Sequence, residues 1–356
     1  MPESALKPDL RSLSAQALKT WLSEKGQPSF RQKQIEEWLW TRRVEHVAQM
    51  TNLSKDLRNQ LDAEFQINPL VVATERISTD GTRKYAFRLH DGHLIEGVLI
   101  PANDRVTACV SSQAGCSLSC KFCATGYLPL YRNLTQFEIY DQVWYLNRFA
   151  QQHYGQSLSN IVYMGMGEPL LNYRQVIDSI DRLCNPVGMG LSPRRITLST
   201  AGIAKMIRRL GDENVRFEFA LSLHAANDEK RSQMMAINDS NSLEALVDAL
   251  KHFHACTGTR VTYEYALMSG FNDSLGDAAE LARFARIVPS KINLIEYNPI
   301  LEAAIRPSDA GSTQAFIRYL EGRGLVVNLR RSRGKDIDGA CGQLALRENR
   351  EALNPS

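Results

Sequence analysis

The chain has no uninterrupted apolar run approaching the roughly 20 residues that a membrane-spanning helix needs. Its first residues, Met1-Pro-Glu-Ser-Ala-Leu-Lys-Pro8, lack the basic and then apolar blocks of a secretion signal. Both absences lead to the expectation of a cytoplasmic protein with no membrane partner. In that compartment cysteines stay reduced unless they bind metal or do redox work, so a structural disulfide framework does not account for the seven cysteines. An excess of charge is lacking too. Forty-two basic residues against 39 acidic ones leave a net +3, too little by itself to establish a nucleic-acid partner. The 356 residues, 44% hydrophobic and 23% charged, suffice for one large globular domain and a smaller module.

What is present is concentrated in Cys116-Ser-Leu-Ser-Cys120-Lys-Phe-Cys123, with no fourth cysteine beside the three. Three thiolates this close can hold three corners of an iron–sulfur cube and leave one iron open to a small molecule. The competing reading is a structural zinc site, which normally takes four ligands and would have to recruit Cys109 from a strand upstream.

Residues 1–68 read as a helical module. Ser14 is placed to cap a helix running to Lys25, Ser29 to cap Phe30–Arg43, and Ser54 to cap Lys55–Phe65. A β meander over 69–103 follows, with strands at Val71–Ser78, Lys84–Leu89 and Leu94–Ile100 parted by Asp80-Gly81 and Asp91-Gly92. From 104 to 346 strands and helices alternate, which builds a parallel sheet, open or closed into a barrel. Thr135 with Glu138 forms a capping box for the first of these helices, and Gly258 ends the one that begins near Ser242. Residues 347–356 read as a polar tail.

Chemistry in such a sheet sits at the C-terminal strand ends, and polar residues recur there. Tyr163-Met-Gly-Met-Gly167-Glu168-Pro169 offers glycines for close backbone approach and a carboxylate for an ammonium group. Ser199-Thr200, Ser222-Leu223-His224 and Asn298-Pro299, each taken alone, are more often helix caps or satisfied polar groups than ligand contacts, but one per strand end fits a ring around a small molecule. Cys341, flanked by glycine and preceded by Arg330-Arg331-Ser-Arg333-Gly-Lys335, is either an exposed reactive thiol or a small core residue. Cys184 and Cys256 fall at apolar helical positions and are expected to be buried. Glu96 stands in an otherwise apolar strand, where a carboxylate needs a reason.

Together these residues resemble the radical S-adenosylmethionine (SAM) enzymes and, more narrowly, the RlmN family of dual-specificity RNA adenosine C2 methyltransferases. The resemblance runs through Cys109-Val-Ser-Ser-Gln-Ala-Gly-Cys116, Met164-Gly-Met-Gly-Glu168-Pro, Leu198-Ser-Thr, Ser222-Leu-His224, Asn293-Leu-Ile-Glu-Tyr-Asn298-Pro and Asp336-Ile-Asp-Gly-Ala-Cys341-Gly-Gln-Leu. Pro129-Leu130, Ala236 and Gly339 depart from the residues common in that family. The resemblance implies an α/β fold, a partial (β/α)6 radical-SAM barrel with a small N-terminal helical, RNA-contacting domain and a β-meander extension. Cys116, Cys120 and Cys123 would ligate a 4Fe–4S cluster. Gly167, Glu168, Ser199, Ser222, Leu223, His224 and Asn298 would hold SAM. Cys341 would carry the methyl group, Cys109 would resolve the adduct through a disulfide, and Glu96 would be the base. The implied substrates are one adenosine of the peptidyl-transferase centre of 23S rRNA and the adenosine 3′ to the anticodon in some tRNAs. A monomer served by a cellular electron donor is expected. Two other readings stay open: C8 methylation of the same ribosomal adenosine, and a zinc-stabilised RNA-binding protein without catalysis.

Overall fold

Hydroxyl caps set the first helices. In the computed structural model, which describes residues 7–345, Ser14 accepts a hydrogen bond from the Ala17 amide and opens α1 (Ala15–Glu24). The segment expected to be one helix from Phe30 to Arg43 behaves differently. Ser29 makes no side-chain cap, and α2 (Phe30–Glu36) passes into a π-helical turn at Glu37–Thr41. The wider turn brings the sequence neighbours Leu39 and Trp40 both into the core. Ser54 caps α3 (Lys55–Glu64) through the Leu57 amide.

The strands β1 (Val71–Ile77), β2 (Arg83–Arg88), β3 (Leu94–Ala102) and β4 (Arg105–Cys109) form an antiparallel meander with turns at the two Asp-Gly pairs. Two short strands, β5 (Gln113–Ala114) and β6 (Arg132–Asn133), pair across the base of the loop that carries the cysteine triplet. Then come α4 (Gln136–Tyr154), β7 (Asn160–Tyr163), α5 (Tyr173–Cys184), β8 (Ile196–Thr200), α6 (Ala204–Asp212) and β9 (Glu218–Ser222). The chain continues through α7 (Asp228–Met234), α8 (Leu243–Thr257), β10 (Val261–Leu267), α9 (Leu275–Phe284), β11 (Ser290–Glu296), α10 (Ala310–Glu321) and β12 (Val327–Arg330). The Thr135–Glu138 capping box opens α4, and Gly258, at φ 64°, ends α8 as expected.

All the strands except β5 and β6 join one sheet in the order β1-β2-β3-β4-β7-β8-β9-β10-β11-β12. From β4 onward every pairing is parallel, and helices cross over between the strands. The result is an open, partial α/β barrel whose N-terminal edge is extended by the meander. β10 is buried at all seven positions, as a parallel strand covered on both faces must be. Its Tyr263 and Tyr265 pack on Phe284 and Phe316 of the helical layer, while Glu264 and Ala266 point into the barrel. The N-terminal helices dock on α4 through a buried charge cluster, where Arg11 and Arg43 both bind Asp141. No helix among the described residues is long and apolar enough to cross a membrane.

Candidate active site

The loop after β4 presents the cysteine triplet at the C-terminal end of the sheet. It is bound tightly to its surroundings. The Lys121 amide donates to Met234 O (3.0 Å) and the Ala124 amide to Gly342 O (2.7 Å), while the Thr125 hydroxyl donates to Leu344 O (2.6 Å). A Cβ on Gly126 would stand 2.6 Å from Cys120 O, so only glycine permits this fold of the loop. Ser119, inside the triplet, takes φ 50°, a strained conformation that a non-glycine residue seldom adopts.

Cys116, Cys120 and Cys123 all line one cavity. Burial pushes the Cys116 thiol up to about 11 and also raises Cys120 and Cys123. Thiolates are stable in such a place only beside a cation, which fits metal ligation. A single tetrahedral zinc ion would draw thiolates to about 3.8 Å from one another. Among the described residues, the one group of three donor atoms within 4.8 Å of one another lies elsewhere, at Asp212, His252 and Cys256. The three thiols of the loop are therefore not drawn together as around a single ion.

The opposite wall of the cavity comes from strand ends. Gly167, at φ 92°, follows β7, and a Cβ there would lie 2.4 Å from Gln113 Cβ. Next to it Glu168 is buried, accepting hydrogen bonds from the Leu170 amide (3.0 Å) and the Ala201 amide (2.7 Å). Burial pushes its carboxyl pKa up, so an incoming ammonium group would restore the favoured charge. Ser199 and Ser222 share a hydrogen bond at 3.3 Å. His224 takes φ 55°, and its Nδ1 accepts from the Ala266 amide at 3.0 Å, which leaves the proton on Nε2. Burial, with the charge of Arg231 second, lowers its pKa to about 3 and keeps the ring neutral. Asn298 donates to Cys341 O (3.1 Å), whereas its Oδ1 is buried with no hydrogen-bond partner. An orphaned acceptor at this point fits a donor from a bound ligand. The cradle at Gly167, the buried carboxyl and this acceptor together suit the amino-acid and nucleoside ends of SAM.

Cys341 is exposed and sits where this cavity meets a second one. Met164, Ile295, Arg330, Cys341 and Gly342 line both. The second cavity also reaches Cys109 on β4 and is rimmed by Arg105, Arg331 and Arg333. Burial pushes the Cys109 thiol up to about 12. All seven cysteines are free, so the disulfide expected from the resemblance is not formed here, although Cys109 and Cys341 line the same cavity.

Two expected contacts lie apart from these walls. The Leu223 backbone is engaged with Glu264 O and Arg231 Nε, and its buried side chain lines neither cavity. Glu96 is likewise behind the wall, two residues before Val98, which pairs with Cys109 and lines the second cavity. The reason for a carboxylate in that apolar strand is Lys84, at 3.0 Å and equally buried. Cys256 proves exposed and Cys184 only half-buried, because both sit near helix ends rather than on the core stripe. Arg43 is consumed by Asp141 and Arg209 pairs with Glu213, leaving Arg194, Arg195, Arg208, Arg331 and Arg333 as exposed cations. Glu264 in the cavity wall was not foreseen. It accepts from Arg330 Nη1 (3.2 Å) and Asn293 Nδ2 (2.8 Å), and its only signal in the sequence was a charge amid a strand of seven.

Fold and site define a radical SAM enzyme. The family model for the radical SAM superfamily matches residues 110–282, and the model for the ribosomal RNA large subunit methyltransferase N-terminal domain matches residues 8–67. A solved radical SAM methyltransferase from Sphaerobacter thermophilus superposes with a TM-score of 0.88 at 40% identity, over 95% of this chain and 99% of that one. A "Probable dual-specificity RNA methyltransferase RlmN" of Cytophaga hutchinsonii is 55% identical over 339 residues, covering 95% of this chain and 93% of the relative. The "Dual-specificity RNA methyltransferase RlmN" of Nautilia profundicola is 40% identical, over 90% of this chain and 94% of its own. The chain belongs to the RlmN family and is a radical SAM RNA methyltransferase.

Proposed function

We propose that the enzyme methylates C2 of an adenine, in the peptidyl-transferase centre of 23S rRNA and 3′ to the anticodon in some tRNAs. The observation that carries this reading is the position of Cys341, exposed between a cavity walled by the cysteine triplet and a second cavity with a basic rim. C2 of adenine lies between two ring nitrogens and is not nucleophilic, so a direct attack on a methyl sulfonium fails. Cys116, Cys120 and Cys123 would hold a 4Fe–4S cluster, which when bound supplies the electron that cleaves SAM and opens radical chemistry.

The chain's own groups divide the remaining work. Gly167 and Glu168 would bind the amino-acid end of SAM, with Ser199, Ser222, His224 and Asn298 around the rest of it and Leu223 behind them. Cys341 thiolate would take a methyl group from one SAM by displacement, releasing S-adenosylhomocysteine; that S-methyl would lose a hydrogen atom to the radical drawn from a second SAM, and its carbon would then bond to C2. Glu96, held by Lys84, would take the C2 proton. Cys109, once deprotonated, would attack Cys341 sulfur, forming an S–S bond as the bond from that sulfur to the transferred carbon breaks; the carbon takes a proton to become the C2 methyl group, and a cellular reductant reopens the disulfide.

The target base must be unstacked to enter, and Arg105, Arg331 and Arg333 would take the adjoining phosphates. Residues 1–68 would add RNA contacts, 69–103 would link them to the barrel of 104–346, and 347–356, outside the described residues, would be a tail. A cytoplasmic monomer fits these substrates.

The test is anaerobic incubation of reconstituted enzyme with SAM, reductant and an unmodified 23S rRNA fragment, followed by nucleoside analysis. 2-Methyladenosine is expected. C8 methylation alone would replace this reading with the sister activity, and a colourless zinc protein without turnover would end it. Cys341→Ala should abolish methyl transfer while SAM cleavage persists. Cys109→Ala should trap a covalent protein–RNA adduct, and clean turnover by it would remove the resolving role.

A further inference from the structure

Three side chains with no part in the proposed reaction meet at the pole of the barrel opposite the cavity mouth. Asp212 is the last residue of α6, and His252 and Cys256 stand one turn apart on α8, near its end. His252 Nε2 lies 2.6 Å from Asp212 Oδ1 and 3.7 Å from Cys256 Sγ, and the three donor atoms are all within 4.8 Å of one another. We propose that Asp212, His252 and Cys256 form a binding site for a divalent transition-metal ion of the zinc type, pinning α6 to α8.

The donor set selects the class of ion. Thiolate and imidazole beside a single carboxylate suit zinc, cobalt or nickel, whereas magnesium and calcium call for oxygen ligands. The distances agree. Tetrahedral zinc separates an imidazole nitrogen from a thiolate sulfur by about 3.6 Å and from a carboxylate oxygen by about 3.3 Å. The nitrogen–sulfur pair is already at that spacing. The nitrogen–oxygen pair has to open by less than about an ångström, and the Asp212 side chain, 65% exposed, is free to turn that far. Water would complete the fourth position.

The backbone beneath the three groups is closely packed. A Cβ on Gly211 would come within 3.1 Å of both His252 Cδ2 and Phe253 Cα, so glycine is what lets α8 approach the end of α6. Cys256, left exposed near the end of α8, has its sulfur 3.7 Å from His252 Nε2, where a shared ion can reach both.

The experiment uses anaerobically prepared holoenzyme, so that the cysteine triplet is already engaged. It is incubated with zinc chloride, desalted, and analysed for zinc and iron by mass spectrometry. About one retained zinc per chain is expected in the wild type. His252→Ala and Cys256→Ser should retain less than about a tenth of it with unchanged iron content. Zinc should also slow alkylation of Cys256 by iodoacetamide in the wild type, and His252→Ala should lose that protection. A wild-type enzyme that retains no zinc, or variants that retain as much as it does, overturns the proposal.

Discussion

Asp141 is the most vulnerable point of the interface between the N-terminal helices and the barrel. It lies on α4 with no exposed side-chain surface and accepts two hydrogen bonds from Arg11 Nη1, at 3.0 and 2.8 Å, and two more from Arg43 Nε and Nη2. Asp141→Asn keeps the shape but removes the charge and turns amide donors toward guanidinium donors. Arg11 would still hold Asp9 and Asn68 O, whereas Arg43 would be left, among the described residues, with Val44 O alone. Stranding a buried cation in this way costs about 3–5 kcal/mol. For a chain of this size that lowers the melting temperature by about 6–10 °C, at about 2 °C per kcal/mol. Thermal unfolding of anaerobic enzyme at a fixed scan rate reads the change directly. A melting temperature within about 1 °C of wild type would refute the claim that this carboxylate fastens the helices to the barrel.

Other outcomes follow from single groups. The neutral His224 ring, with its pKa held at about 3 instead of 6.5, binds no proton between those values while the unfolded chain does, so stability is full above pH 6.5 and falls by about 1.4 kcal/mol per pH unit below it. His224→Asn keeps an acceptor and tolerates the left-handed backbone, so its melting temperature should decline less from pH 6.5 to 5; equal slopes would refute this. Gly167→Ala sets a Cβ into Gln113 at a φ of 92° and should weaken SAM binding about tenfold or more by calorimetry, with undiminished affinity the contrary result. Thr135→Ala removes the cap of α4 and should cost about 1 kcal/mol in a chemical melt while leaving methyl transfer intact.

Much of this molecule is written locally. The caps at Ser14, Ser54 and Thr135 act on amides three residues away, and the Asp-Gly turns close on themselves, so short windows of sequence contain both partners. The spacing of Cys116, Cys120 and Cys123 and the Gly167-Glu168 turn are likewise local, and so the class of chemistry was legible before any fold was known. Other features depend on partners that no window holds. Arg43 meets Asp141 across 98 residues and Arg330 meets Glu264 across 66, and both would read as free charges in isolation. The π turn after Glu36, the withdrawal of Glu96 behind Lys84 and the exposure of Cys256 were settled by which faces the neighbouring elements left open. Hydrogen bonds along the chain are chosen by sequence order; the pairing of buried charges is chosen by packing, because only the assembled core removes the water that would otherwise serve them equally well.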